Sequence, residues 1–181
     1  MTTLPATLDD DGAGDPRDAY RPRRILTLFV GESSPAEGPN FYRANSNLFR
    51  ATQAAYAAAL GDAVPSGEAF LRFFARRGCW LVDLADRSLR DLQATQRRAA
   101  VTAGISRLAE LLDETRPSSV VAVKSDIAKA VEEAIVRAGI KPPKFIALPY
   151  PLRQYRARYI EGLATFVEGF TGDAKRKQTR C

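Results

Sequence analysis

The feature that most constrains this chain is a rhythm. Four short apolar runs, at residues 25–30, 79–84, 120–123 and 145–148, are separated by longer stretches with helical spacing. Each run is apolar without alternation, which suits a strand covered on both faces. Strands that alternate with helices form right-handed crossovers and a parallel sheet. The expected fold is therefore α/β: a three-layer α/β/α domain with a short, mainly parallel four-stranded sheet. Ligands of such folds bind beyond the C-terminal strand ends, where the winding reverses. Four segments are expected at that edge: 31–45, 83–93, 124–126 and 148–154.

The helices follow from apolar spacing and end signals. One is expected over 46–60, capped by Asn45 or Ser46. Ser66 is a natural cap for a second helix to Arg77, with Phe70, Phe73 and Phe74 inward and Gly78 closing it. A third covers 94–115, burying Ile105, Leu108, Leu111 and Leu112. Ser125 or Asp126 caps a fourth, through Ala138. The last spans 153–170, with Tyr155, Tyr159, Leu163, Phe166 and Val167 inward. Residues 1–20, with Asp9-Asp10-Asp11-Gly12, read as a disordered tail and 172–181 as a basic flexible one. The domain is expected over 21–171.

Composition narrows the chemistry. No apolar run approaches the roughly 20 residues that span a bilayer, and the acidic N-terminus has no apolar core of a secretory signal. A cytoplasmic monomer without membrane contact is the expectation. The chain has two cysteines, Cys79 and Cys181, and no histidine. No disulfide, zinc site or iron–sulfur centre is expected, and neither is a metal or other cofactor. The Ser-His and Cys-His nucleophile pairs are excluded. The net charge of +6 and the pI near 9.6 suit attraction to phosphates. Much of that excess lies in Lys175-Arg176-Lys177 and Arg180, so composition alone also accounts for it.

The segment after the first run reads Gly31-Glu32-Ser33-Ser34-Pro35 and continues to Phe41-Tyr42-Arg43-Ala44-Asn45. Gly31 permits a sharp turn off the strand. Glu32 projects from the strand end, where a carboxylate can position water or stabilise a cation; the alternative is a carboxylate capping loop N–H groups. Phe41 and Tyr42 offer a stacking face for a base, or else plug the edge of the core. Asp83 ends the second run, as a second carboxylate at that edge or a turn cap. Lys124-Ser125-Asp126 opens a helix, where capping is preferred to phosphate contact. Arg76-Arg77 and Arg97-Arg98 read as solvated faces. Arg153, Arg156 and Arg158 interleave with Tyr155 and Tyr159, a pattern that suits either a DNA-facing surface or a core pair.

Gly-Glu-Ser-Ser-Pro straight after the first strand resembles the first motif of the uracil-DNA glycosylase superfamily, especially its Gly-Glu-Ala-Pro-Gly variants. The order of elements fits from about Arg24 to Phe170. The resemblance implies hydrolysis of an N-glycosidic bond to remove a damaged or deaminated base from DNA. It implies that Phe41 or Tyr42 stacks on a flipped base, and that Asp83 stands where the family usually has a base-recognising Asn. It places Leu148-Pro149-Tyr150-Pro151-Leu152-Arg153 at the family's His-Pro-Ser motif. The histidine that stabilises the departing base is replaced there by Leu148 or Pro149. The cluster-binding cysteines of the Gly-Glu-Ala-Pro-Gly branch are absent.

The candidate catalytic residues are thus Glu32 and Asp83. The candidate binding residues are Gly31, Ser33, Phe41, Tyr42, Asn45, Tyr150 and Arg153. Backbone N–H groups near Leu152 to Gln154 are expected to hold an anion. DNA or a nucleobase-containing ligand is the expected partner. Two other functions stand beside excision: a homologue that binds a base without cleaving, and a flavodoxin-like domain for another small ligand. No Gly-x-Gly-x-x-Gly fingerprint supports a dinucleotide.

Overall fold

The computed structural model describes residues 15–33, 38–141 and 144–178, with side chains through 170. The strands are β1 (Thr27–Ser33), β2 (Cys79–Ala85), β3 (Ser119–Ala122) and β4 (Lys144–Ala147). They pair in the order β2-β1-β3-β4, every pair parallel. The longer helices are α1 (Asn47–Leu60), α2 (Glu68–Arg76), α3 (Ala94–Thr115), α4 (Ala128–Arg137) and α5 (Arg156–Gln178).

The chain leaves β1 for β2 on one side, then passes back over β1 to reach β3. Right-handed crossovers in opposite directions put their helices on opposite faces. Accordingly α1 packs on α5, and α3 packs on α4. The three-layer α/β/α architecture expected from the alternating runs is the one adopted. It also explains why those runs do not alternate in polarity. Leu28, Phe29 and Val30 of β1, and Val120 and Val121 of β3, are buried beneath both layers.

On the α1 side the core is aromatic. Phe29 meets Phe74 at 5.0 Å between ring centroids, and Phe70 meets Phe49 and Tyr56 edge-on at 5.6 Å. The Tyr159 and Thr52 hydroxyls share a hydrogen bond of 2.9 Å that ties α5 to α1. Burial pushes the Tyr159 phenol up, so it stays a neutral hydrogen-bonding group. Cys79 is buried and free, its thiol pushed up to about 11 by burial. Cys181 lies outside the described residues.

Several boundaries differ from the sequence reading. β1 continues to Ser33, so Gly31 and Glu32 belong to the strand and not to a turn off it. Ser46 caps α1 by accepting from the Phe49 N–H at 3.1 Å, while Asn45 accepts from the Asn40 N–H within the preceding loop. Ser66 does not cap α2; Gly67, with φ +57°, precedes it. A 3-10 turn, Ser125–Ile127, leads into α4 with no side-chain cap. α5 starts at Arg156, which leaves Tyr155 exposed, and it runs on to Gln178 through positions expected to be flexible.

Residues 15–20, expected within the disordered tail, are folded, while 1–14 lie outside the described residues. Asp18–Tyr20 forms a 3-10 turn, Tyr20 stacks on Tyr42 at 5.7 Å, and the Trp80 indole N–H donates to the Arg17 carbonyl at 3.3 Å. Low local hydrophobicity suggested disorder there, but two aromatic rings on the body of the fold supply the surface that orders it. Among the described residues no helix is long and apolar enough to cross a membrane.

The close seating of α3 on β2 depends on Gly104, where a Cβ would overlap the Leu84 carbonyl oxygen. Alanine is the better helix former by about 1 kcal/mol, but no rotamer relieves a clash with backbone. Gly104→Ala should cost about 1–3 kcal/mol overall, read as a lower urea midpoint with an unchanged slope.

Candidate functional site

A cavity of about 880 Å³ opens at the C-terminal ends of the strands. It sits over the point where the winding reverses, between β1 and β3. The strand register brings its residues together: Gly31 of β1 lies opposite Asp83 of β2, and Val30 opposite Ala122 of β3. Residues well apart in sequence therefore meet at one edge.

Glu32 and Asp83 both line the cavity. Glu32 accepts from the Lys124 ammonium at 2.6 Å, each side chain about 28% exposed. Lys124 is the second residue after β3, so this ion pair bridges the reversal point itself. Asp126 stands further off, 3.8 Å from the same ammonium. The sequence reading gave Lys124 to helix capping. Its partner is instead the strand-end carboxylate, a contact that no local pattern reveals.

Asp83 is half-buried and lies across Gly31, where a Cβ would overlap its Oδ1. Gly31 is thus required for space, not for an unusual backbone angle. The negative charge of Asp83 reaches Arg17, Tyr42 and Tyr150. Burial first, and Asp83 second, push the Tyr150 phenol up. Tyr150 therefore presents a hydroxyl, not a phenolate, to the cavity at neutral pH. Pro149 and Pro151 on either side restrict its backbone and hold it there.

The aromatic pair of the first loop takes a structural part. The Tyr42 hydroxyl donates to the Leu81 carbonyl at 3.0 Å and accepts from the Leu81 N–H at 2.8 Å. Leu81 belongs to edge strand β2, so this one hydroxyl satisfies both of its outward backbone groups. Phe41 packs against Phe49 and Phe74 and is 5% exposed. Both rings reach the cavity wall, but their main surfaces are spent on the core, as the edge-plugging alternative has it. Ser33 is on the wall. Ser34, Pro35, Ala36 and Glu37 lie outside the described residues.

Two sequence candidates fall elsewhere. Asn45 is exposed and holds its own loop through the Asn40 N–H at 2.7 Å. Arg153 is exposed on the turn before α5 and is not on the cavity wall. The expected anion cradle near Leu152 is also altered, because the Leu152 N–H donates to the Tyr150 carbonyl at 2.7 Å.

Arginines missed by the sequence reading enter instead. Arg17 reaches the wall from the N-terminal segment, with Nε bonded to Asp15 at 2.7 Å. That bond, against the opposing effect of burial, holds its guanidinium up and Asp15 down. Arg97, read as a solvated face, donates to the Leu89 carbonyl at 2.8 Å and pins the 86–93 loop beside the cavity. Among the described residues no cluster of three His, Cys, Asp or Glu is placed to hold a metal ion.

A scan against protein-family models finds no match, and a search of curated proteins finds none either.

The structural part of Tyr42 is separable from ligand binding. Tyr42→Phe keeps the ring but leaves the Leu81 N–H and C=O unpaired, at a cost of about 1–3 kcal/mol. Chemical denaturation should show that loss.

Proposed function

We propose that the chain is a uracil-DNA-glycosylase-like protein whose cavity takes a nucleobase presented by DNA and hydrolyses its N-glycosidic bond. One observation carries this reading. Two carboxylates from adjacent strands, Glu32 and Asp83, line one cavity together with Tyr150, and the cavity has ample room for a nucleobase and its sugar. The motif resemblance after β1 points to the same place.

The chemistry assigned to these groups is simple. Asp83, acceptor-only when ionised, takes a ring or exocyclic N–H of the base, and the Tyr150 hydroxyl donates to a ring carbonyl. As the C1′–N bond breaks, its electron pair leaves with the base and positive charge develops on the sugar. Glu32 uses one carboxylate oxygen for Lys124, which leaves the other to orient water toward C1′. The exposed arginines and the net charge of +6 suit a DNA backbone outside the cavity.

A second reading, base binding without cleavage, is favoured by the same ion pair, which partly neutralises the carboxylate excision needs. Gel assays on single- and double-stranded oligonucleotides containing uracil or hypoxanthine separate the two. Excision by the wild type should fall on the order of 10²-fold in Glu32→Gln, with folding and DNA affinity nearly unchanged. Full activity in Glu32→Gln would remove Glu32 from the mechanism. Binding without cleavage of any base would leave the second reading.

Asp83 is tested through its neighbour. Gly31→Ala should displace the Asp83 carboxylate and weaken base capture more than it weakens the fold. Oligonucleotide affinity measured beside the denaturation midpoint checks this.

A further inference from the structure

We infer that Lys124, oriented by Glu32, is the cationic group of the cavity, and that it selects the anionic form of a nucleobase. This inference rests on the proposal that the cavity takes a base.

Three observations carry it. First, Lys124 follows the third strand at the winding reversal and lies on the cavity wall, where strand-end ligands of parallel sheets bind. Second, its ammonium is held rather than free-swinging: Glu32 accepts from it at 2.6 Å, and both side chains are mostly shielded from solvent. A positive charge placed in a half-buried cavity acts far more strongly than one on the surface. Third, the ammonium has three donors. Glu32 takes one, and Asp126, at 3.8 Å, is too distant for a hydrogen bond.

The other positive groups at the wall are less suited. Arg17 is held by Asp15 through two of its nitrogens and also feels Asp83, so two carboxylates offset its charge where Lys124 has one within hydrogen-bond reach. Arg97 is committed to the Leu89 carbonyl, and Arg90 is exposed. The chain contains no histidine. The Leu152 N–H, at the turn expected to supply an anion cradle, already donates to Tyr150. Lys124 is therefore the cation best placed to meet negative charge on a bound ring.

In hydrolysis, the C1′–N bond breaks with its electron pair on the base. The charge spreads to the ring carbonyl oxygens, and an ammonium N–H of Lys124 donates to one of them. Water adds to C1′, giving up a proton to Glu32. That proton then passes through solvent to the base nitrogen. The products are the neutral base and the sugar hydroxyl. Under binding without cleavage, the same ammonium favours a base already ionised.

The test uses two free bases and no turnover. Uracil stays neutral near pH 7, while the electron-withdrawing nitro group leaves 5-nitrouracil ionised there, and the absorption spectrum reports the ionised form. Equilibrium dialysis of the full-length protein at a pH where 5-nitrouracil is ionised should show tighter binding of 5-nitrouracil by about tenfold or more. Lys124→Met should abolish the preference, and Lys124→Arg should keep it. Glu32→Gln should keep or raise affinity for the anion, because it removes a negative charge beside the ligand. A purely structural ion pair would instead make Glu32→Gln and Lys124→Met fail alike.

Equal binding of both bases by the wild type, or an undiminished anion preference in Lys124→Met, overturns the inference and leaves the base-binding proposal standing. Binding of neither base by the wild type overturns both. Circular dichroism and the denaturation midpoint of each variant separate loss of fold from loss of the cation; if Lys124→Met is unfolded, loss of the preference in Lys124→Arg decides against the inference.

Discussion

The position of β1 between β2 and β3 governs the rest of this molecule. A chain that winds outward from β1 in both directions must reverse once, and the reversal leaves an opening beyond the C-terminal ends of β1 and β3. Because every pair is parallel, all four strands present their C-terminal ends to the same edge. Glu32, Asp83 and Lys124 share a cavity for that reason. Each stands at the end of a different strand, and only the sheet pairing brings the three together.

Within the cavity, positive charge is matched to negative. Lys124 faces Glu32, and Arg17 is bonded to Asp15 while feeling Asp83. Pairing of this kind offsets the solvation that each ionised group gives up at a part-buried wall. It also sets the character of the site: polar and mixed in sign, with one tyrosine hydroxyl held neutral by burial.

The loop between β1 and α1 shows how one segment can serve fold and site together. Its aromatic residues close the exposed edge of β2 through the Tyr42 hydroxyl and fill the space beside Phe49 and Phe74. Gly31 of β1, shortly before the loop, leaves the space that the Asp83 carboxylate occupies. The residues before 21 add a further strut, through Tyr20 on Tyr42 and Arg17 on Trp80.

The sequence by itself determined the architecture. Four apolar runs without alternation, each followed by breakers and helical spacing, are strands buried on both faces, and such strands leave a parallel sheet between two helical layers as the natural solution. It also put Glu32, Asp83 and Tyr150 at the strand-end edge where the cavity opens, because strand ends are legible from where apolar runs stop. Only the tertiary structure decided the partnerships. Glu32 meets Lys124 across a separation of 92 residues, Tyr42 spends its hydroxyl on an edge strand, and Arg17 comes in from a segment too polar to look folded. Periodicity and composition report how a residue relates to its near neighbours. An ion pair across a winding reversal, or an aromatic ring that orders a polar arm, depends on which distant surfaces packing brings within a few ångströms.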